Sequence, residues 1–183
     1  MVAHAGLELR SYGDCHRNSI YNRGDGRKEA CMKRILMLGA GKVGSLIACL
    51  LSETGDYRIH VGDSDAGSVR RMEELGCANV SVHAIDVMNR PTLESFLNEH
   101  EVDAVISCLP YYCNFTVAEA ALKYKLHYFD LTEDVEVSRH IAKISTAAEN
   151  AFVPQCGLAP GFISIVANEL MTHFEELDTV KLR

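Results

Sequence analysis

Three glycines and one aspartate give the sequence its clearest chemical signal. Gly39, Gly41 and Gly44 stand in G-x-G-x-x-G spacing, and Asp63 follows 24 residues after the first of them. Such glycines let the backbone approach a bound pyrophosphate, and an acid near this distance accepts hydrogen bonds from ribose hydroxyls. The spacing therefore predicts a dinucleotide-binding loop. Because a chain with 13 glycines produces such spacing by chance, the neighbouring elements have to support it.

The segments that flank the glycines fit this prediction. Residues 34–38 form an apolar run typical of a parallel strand buried on both faces. The helix predicted after the glycines ends near Gly55 and has an apolar face made by Val43, Leu46, Ile47, Leu50 and Leu51. Further strands are predicted at 57–61, 80–85, 102–109 and 127–131, with an edge strand at 151–154. Their alternation with helices predicts an α/β fold, a Rossmann-type doubly wound parallel sheet.

The residues at the ends of the second and third strands bear on the cofactor. An acid at Asp63 would repel a 2′-phosphate and so favours NAD, although Arg70 and Arg71 leave NADP open. The alternative is that this aspartate only caps the following helix. Asp86 could accept the adenine amino group while Val87 covers the ring, and a simple turn aspartate is the alternative there.

Composition narrows the class of partner. The net charge of -7 and the pI near 5.6 disfavour nucleic acid and anionic membranes, so a small ligand is expected. Seven cysteines without a CxxC pair or zinc-type spacing favour a reducing compartment, hence the cytoplasm, and no metal site. No membrane span or signal peptide stands out. Residues 1–31 lack periodicity and are predicted to be a poorly structured N-terminal extension.

Three later segments follow the glycine loop in a specific order. They are SCLPYY at 107–112, DLTED at 130–134 and CGLAPGF at 156–162. Together with GAGKVG they resemble the saccharopine dehydrogenase family, which includes saccharopine reductase and lysine 6-dehydrogenase. The resemblance implies an NAD(P)-dependent oxidoreductase of amino-acid metabolism, including lysine metabolism. Its reaction would be reversible hydride transfer at the carbon–nitrogen bond of an amino acid or its imine.

The resemblance also implies roles for individual residues. The pyrophosphate would lie on Gly39, Gly41, Val43 and Gly44, the ribose on Asp63, and the adenine by Asp86 and Val87. Leu109 and Pro110 would flank the nicotinamide, while Tyr111, Asp130 and Cys156 would face the substrate, with Asp130 at its amino group. The alternative for Asp130 and Thr132 is a turn that caps the next helix. No general acid or base stands out, since the cofactor carries the hydride chemistry.

The resemblance sets the expected domain organisation as well. Residues 32–176 would form the dinucleotide-binding domain, and the alternating segment 177–183 would open an inserted α+β substrate domain that is largely absent. In the family that domain carries the dimer contacts, so a homodimer is implied for a full-length protein, and the present chain alone is expected to be inactive. Two other classes stay open: a nucleotide-sensing regulatory domain and an interaction module without ligand binding.

Overall fold

A computed structural model describes residues 32–181, so the N-terminal extension predicted for residues 1–31 lies outside the described residues. The strands are β1 (Lys33–Leu38), β2 (Tyr57–Asp63), β3 (Val80–Ala84), β4 (Ala104–Ser107), β5 (His127–Asp130) and β6 (Phe152–Val153). The helices are α1 (Lys42–Thr54), α2 (Ala66–Glu74), α3 (Arg90–Glu99), α4 (Asn114–Lys123), α5 (Val135–Ile144) and α6 (Phe162–Met171). Short 3-10 turns lie at Tyr111–Cys113 and Ser145–Ala147.

The strands form one parallel sheet in the order β3-β2-β1-β4-β5-β6. This is the order of a Rossmann fold, and the predicted fold class is confirmed. The order in which the chain adds strands reverses at β1: it runs outward to β3 and then returns to place β4 on the other side of β1. A crevice forms at the carboxyl ends of β1 and β4, where the connections leave in opposite directions. Ligands of such folds bind in that crevice. β6 lies at the edge, as its short length predicts.

Local chemistry explains where several helices begin and end. Gly55 ends α1 in the left-handed region at φ 72°, where glycine has no steric penalty. Asp65 caps α2 by accepting a hydrogen bond from the Ser68 N–H at 2.7 Å. Asp134 caps α5 in the same way through the Val137 N–H at 2.9 Å. Both caps place the ends of β2 and β5 at fixed distances from the helices that follow.

The predicted apolar face of α1 is only partly correct. Ile47 and Leu51 pack against the core, whereas Val43, Leu46 and Leu50 are 54%, 60% and 54% exposed. The fully buried residues are Gly44, Ala48 and Ser52, because small side chains let the helix pack close against the sheet. Hydrophobic periodicity predicted where the helix lies in the sequence, but it did not show which side of the helix packs against the sheet.

The second face of β4 and β5 is covered only in part. Burial alternates along these strands: Val105 and Tyr128 are buried, while their neighbours Ile106 and Phe129 are half-buried. Parallel sheets are ordinarily covered on both faces. Helix α6, although apolar, buries none of its residues in the described part of the chain. Residues 177–181 form no strand, and their assignment to the start of a second domain stays a prediction.

Two cysteines are paired, which their scattered spacing did not indicate. Cys49 of α1 and Cys77 after α2 form a disulfide with their Cα atoms 5.6 Å apart. The pair is 28 residues apart in sequence, and only the packing of both helices on one face of the sheet brings it together. Disulfides are typical of oxidising compartments, so the cytoplasmic localisation stays a prediction. No helix among the described residues has both the length and the apolar character to cross a membrane.

Candidate functional site

Two of the three loop glycines are required by the packing of the fold, and the third leaves open space above the loop. A Cβ at Gly39, which has φ +100°, would lie 2.9 Å from the Cys108 carbonyl oxygen, and one at Gly44 would collide with the Gly39 carbonyl oxygen. These two glycines are required by packing. Gly41 has φ -69°, which any residue adopts, and a Cβ there would meet nothing within 4 Å. The space over Gly41 is therefore open for a ligand.

The start of α1 is suited to an anion. Its N-cap, Gly41, offers no side-chain hydrogen bond, and the first turn contains no acidic residue. The first N–H groups of a helix have no partners within it and carry the positive end of the helix dipole. A dinucleotide pyrophosphate fits this arrangement of open space and free donors. Binding of the pyrophosphate by Gly39, Gly41, Val43 and Gly44 stays a prediction that this arrangement supports.

Asp63 lies directly beside the glycine loop. Its Oδ2 accepts a hydrogen bond from the Ala40 N–H at 2.7 Å, and its Oδ1 accepts one from the Asp65 N–H at 2.8 Å. The carboxylate therefore joins the end of β2 to the loop that would hold the pyrophosphate. It does not cap α2, since Asp65 has that role. Its assignment to the ribose stays a prediction that this position supports.

The two arginines that leave NADP open lie on α2. Arg71 donates to the Ser68 Oγ at 2.8 Å and lies 3.6 Å from the Asp65 carboxylate. The Arg71 guanidinium is thus held near the start of α2 by the Ser68 hydroxyl and the Asp65 carboxylate. Arg70 is exposed. A 2′-phosphate would have to compete with Asp65 for Arg71.

The proposed adenine residues differ in accessibility. Asp86 is exposed, and its Oδ1 accepts a hydrogen bond from the Met88 N–H at 2.9 Å, which is the geometry of the turn alternative. Val87 is only 5% exposed and belongs to the hydrophobic core. Its predicted role as a cover for the adenine ring is therefore not supported, because its side chain points into the protein.

A cleft of about 990 Å³ lies at the carboxyl ends of β1, β4 and β5. All four sequence motifs contribute to its wall: GAGKVG through Val43, SCLPYY through Leu109 and Tyr111, DLTED through Thr132, and CGLAPGF through Ala159. Leu109 also packs beside Gly39, so the cleft continues directly from the glycine loop. Motifs up to 116 residues apart in the chain, from Val43 to Ala159, thus surround one space.

The cleft includes an acidic rim that sequence analysis missed. Glu133, Asp134 and Glu136 line it, and no Lys, Arg or His does so among the described residues. Two of these acids stand in DLTED, but only the position of α5 shows that they face the cleft. An acidic rim attracts a cationic amine and repels a free carboxylate.

The residues assigned to the nicotinamide and the substrate do not all reach the cleft. On the nicotinamide side, Leu109 lines it, whereas Pro110 is exposed outside the lining. On the substrate side, Tyr111 lines it and is 54% exposed, whereas Cys156 lies outside the lining, and both partial burial and the Asp130 charge raise the pKa of its thiol. Asp130 is completely buried, so this structure does not support its predicted contact with the substrate amino group. Both carboxylate oxygens already accept hydrogen bonds from the protein.

The free cysteines of the fourth strand and its turn are packing residues. Burial raises the pKa of Cys108 to about 11 and also raises the pKa of Cys113. A raised pKa disfavours the thiolate, so neither thiol is suited to act as a nucleophile. No group of three or more His, Cys, Asp or Glu within residues 32–181 could hold a metal ion.

Comparison with known proteins agrees with this geometry. Residues 35–154 match the saccharopine dehydrogenase NADP binding domain. Similar solved structures include saccharopine dehydrogenase (L-Glu forming) from Saccharomyces cerevisiae, with a TM-score of 0.63 and 22% identity over 77% of this chain and 31% of that one. Another is a myo-inositol dehydrogenase from Corynebacterium glutamicum, with a TM-score of 0.57 and 17% identity over 80% of this chain and 43% of that one.

A third similar structure is the WlbA dehydrogenase from Chromobacterium violaceum, solved with NADH and UDP-GlcNAcA. It has a TM-score of 0.56 and 16% identity over 78% of this chain and 40% of that one. At such identities these structures support the fold alone, and the chain spans less than half the length of each. The domain match covers most of the described residues. The chain therefore belongs to the saccharopine dehydrogenase family, and its described part is an NAD(P)-binding Rossmann domain.

Proposed function

We propose that this domain serves an oxidoreductase that transfers hydride between NAD(P) and the carbon–nitrogen bond of an amino acid or its imine. The observation that carries the proposal is the cleft in which all four motifs meet beside the glycine loop. A nicotinamide that follows the pyrophosphate would enter this cleft past Leu109. When bound, the cofactor supplies the hydride chemistry. The chain itself supplies the anion site, the apolar wall and the acidic rim.

The acidic rim supports an amine as the reacting group. Glu133, Asp134 and Glu136 create a negative potential that favours a protonated amino group, such as that of lysine or a related substrate. The carboxylates of such a substrate have no cationic partner along the described lining of the cleft. The chain is therefore proposed to bind the cofactor and one end of the substrate without completing the reaction.

The preferred cofactor is proposed to be NAD. Asp63 supports this choice because a carboxylate next to the loop binds ribose hydroxyls and repels a 2′-phosphate. The setting is proposed to be cytoplasmic amino-acid metabolism, including that of lysine, with a homodimer in a longer protein. Nucleic acid and membranes are not proposed partners, given the net charge of -7.

Titration calorimetry tests this function in two steps. NADH is titrated into the chain first, and the chain loaded with NAD is then titrated with L-lysine, with L-leucine as a control that lacks a side-chain amine. We expect NADH to bind and lysine to bind more tightly than leucine. Absence of NADH binding would refute the function. Equal, negligible binding of both amino acids would favour a nucleotide-sensing domain instead.

A further inference from the structure

Asp130 is a buried carboxylate bonded to two separate segments of the chain. Its Oδ2 accepts a hydrogen bond from the Tyr128 hydroxyl at 2.6 Å. Its Oδ1 accepts one from the Thr132 N–H at 3.0 Å and one from the Gln155 N–H at 2.9 Å. Its own carbonyl accepts the Cys156 N–H at 2.8 Å. With 0% exposure, the side chain has every partner inside the protein.

The two bonded segments both contribute to the cleft wall. Residues 131–136 follow β5 directly, while residues 155–161 return to the cleft only after α5 and β6. Thr132 of the first segment and Ala159 of the second segment both line the cleft. Breaking a buried hydrogen bond leaves a polar group without a partner away from water, which is costly. The carboxylate is therefore a strong link between the two.

Residues 155–161 depend on this link because their backbone includes an unfavourable conformation and packs closely against residue 131. Gln155 has φ 62°, a left-handed conformation that is unfavourable for a residue with a Cβ. A Cβ at Gly157 would lie 3.2 Å from the Leu131 carbonyl oxygen, so the segments are in direct contact. The Asp130 hydrogen bond holds Gln155 at the point where the segment begins.

We propose that Asp130 is a positioning residue for the substrate side of the cleft, which holds residues 155–161 against residues 131–136 without binding substrate itself. The proposal rests on the proposed function only in assigning this side of the cleft to the substrate. Tyr128 orients the carboxylate: it is also completely buried, and its ring stacks on Phe152 with centroids 5.4 Å apart. The hydroxyl thus reaches Asp130 from a rigid position.

Two substitutions of Asp130 distinguish the effect of its hydrogen bonds from the effect of its negative charge. Asp130→Ala removes every side-chain hydrogen bond. Asp130→Asn keeps the shape: its oxygen can accept both backbone N–H groups, and its amide can donate to the Tyr128 oxygen. The asparagine should therefore rescue the segment that alanine releases. Tyr128→Phe removes the hydroxyl alone and serves as a third variant if Asp130→Ala fails to fold.

Hydrogen exchange read by mass spectrometry tests the proposal on the whole chain, with NADH titration in parallel. In Asp130→Ala we expect exchange in a peptide spanning 155–161 to accelerate about tenfold or more, because local opening no longer breaks the hydrogen bonds to Asp130. Asp130→Asn should stay close to the unmodified chain. Tyr128→Phe should give a smaller acceleration in the same peptide. NADH affinity should be unchanged in all three variants.

Several results would overturn the proposal. One is unchanged exchange at 155–161 in Asp130→Ala, or in Tyr128→Phe if the alanine variant does not fold. Another is equal acceleration by asparagine and alanine, which would assign the effect to charge. A third is faster hydrogen exchange in all peptides together with loss of NADH affinity. This result would show that Asp130 stabilises the whole domain and not residues 155–161 in particular. If the unmodified chain binds no NADH, the proposed function fails while the exchange result still stands.

Discussion

Gly41 and Gly44 stand in one loop but are constrained by different neighbours. Gly44 is fixed by the fold itself, since any side chain would strike the Gly39 carbonyl oxygen. Gly41 has ordinary dihedral angles and open space, so the folded chain places no demand on it. A glycine that the fold does not need is best explained by a ligand. This contrast makes the loop testable one residue at a time.

Gly41→Val should abolish most dinucleotide binding and leave the fold intact. The valine side chain would occupy the space where the pyrophosphate is proposed to bind, while the backbone keeps its conformation. NADH titration and thermal unfolding measure the two effects. Gly44→Ala is the matched control and should lower the melting temperature markedly. Unchanged NADH affinity in Gly41→Val would show that the loop has no ligand above it.

Asp63→Ser should narrow the preference of the chain for NADH over NADPH. The carboxylate next to the Ala40 N–H repels a 2′-phosphate, and serine removes that repulsion while keeping a hydrogen-bonding group. Parallel titrations with NADH and NADPH measure the ratio of dissociation constants, with Asp56→Ser as an exposed control. Tighter NADPH binding by the unmodified chain would contradict the NAD assignment.

Asp130→Asn should make Cys156 more reactive without moving it. The negative charge of Asp130 and burial together raise the pKa of the Cys156 thiol, so removing the charge should lower that pKa. The pH midpoint for alkylation of Cys156, followed by peptide mass spectrometry, should then fall. Alkylation of buried Cys113 is the internal control. An unchanged midpoint would show that the charge of Asp130 does not act on this thiol.

At the scale of elements, hydrophobic periodicity predicted the individual strands and helices. It did not predict features that depend on how these elements pack against one another. The alternation of segments predicted all six strands and the helices between them, because each signal lies within a few residues. The pairing of Cys49 with Cys77 and the burial of Asp130 depend on how elements pack side by side. The inner face of α1 was predicted correctly only for Ile47 and Leu51, for the same reason. The loop residues of the site were predictable from spacing, whereas the acidic rim was not.

Register also creates a histidine cluster on one edge of the sheet. His60 of β2 and His83 of β3 lie with Nδ1 and Nε2 3.0 Å apart, and His100 follows α3 beside them. The three ring centroids are 5.2 to 5.4 Å from one another. Burial lowers the pKa of His60 to about 4, and the neighbouring His83, His100 and Arg58 add to this effect. Burial lowers the pKa of His83 too.

This cluster should make the domain sensitive to acid. Because the folded pKa of His60 is below its unfolded value of 6.5, the unfolded chain takes up the proton first as pH falls. The stabilisation present above pH 6.5 should therefore be lost progressively towards pH 4. Allowing for solvent screening, His60 should contribute on the order of 1–2 kcal/mol to the loss.

Urea unfolding between pH 7.5 and 4.5 measures this dependence. His60→Gln should give a smaller decrease in the free energy of unfolding than the unmodified chain, because glutamine takes up no proton. His173→Gln, at an exposed position after α6, is the control and should leave the slope unchanged. A pH dependence identical in the unmodified chain and His60→Gln would contradict the role given to the cluster.

At the scale of the molecule, apolar surface is left exposed around the sheet and α6. Ile165 of α6 is 71% exposed and Phe162 60% exposed, and the second face of β4 and β5 is covered only in part. The chain spans 31% of the yeast saccharopine dehydrogenase to which it is similar. The described lining of the cleft is itself accessible to solvent, since Tyr111 is 54% exposed. An open cleft admits water, which weakens electrostatic contacts with a bound substrate.

The chain should therefore bind a dinucleotide but turn over no saccharopine, lysine or related amine. Hydride transfer requires the reacting carbon to be held against the nicotinamide, and such positioning can lower the barrier by roughly 7–11 kcal/mol. The described lining offers Tyr111, Thr132 and an acidic rim, which can hold an amino group but no carboxylate. A spectrophotometric assay of cofactor reduction with a panel of amino acids measures this directly. NADH titration on the same sample confirms that the domain is folded and able to bind. Turnover at the rates of ordinary dehydrogenases, about 1 s⁻¹ or more, would show that the chain already builds a complete site.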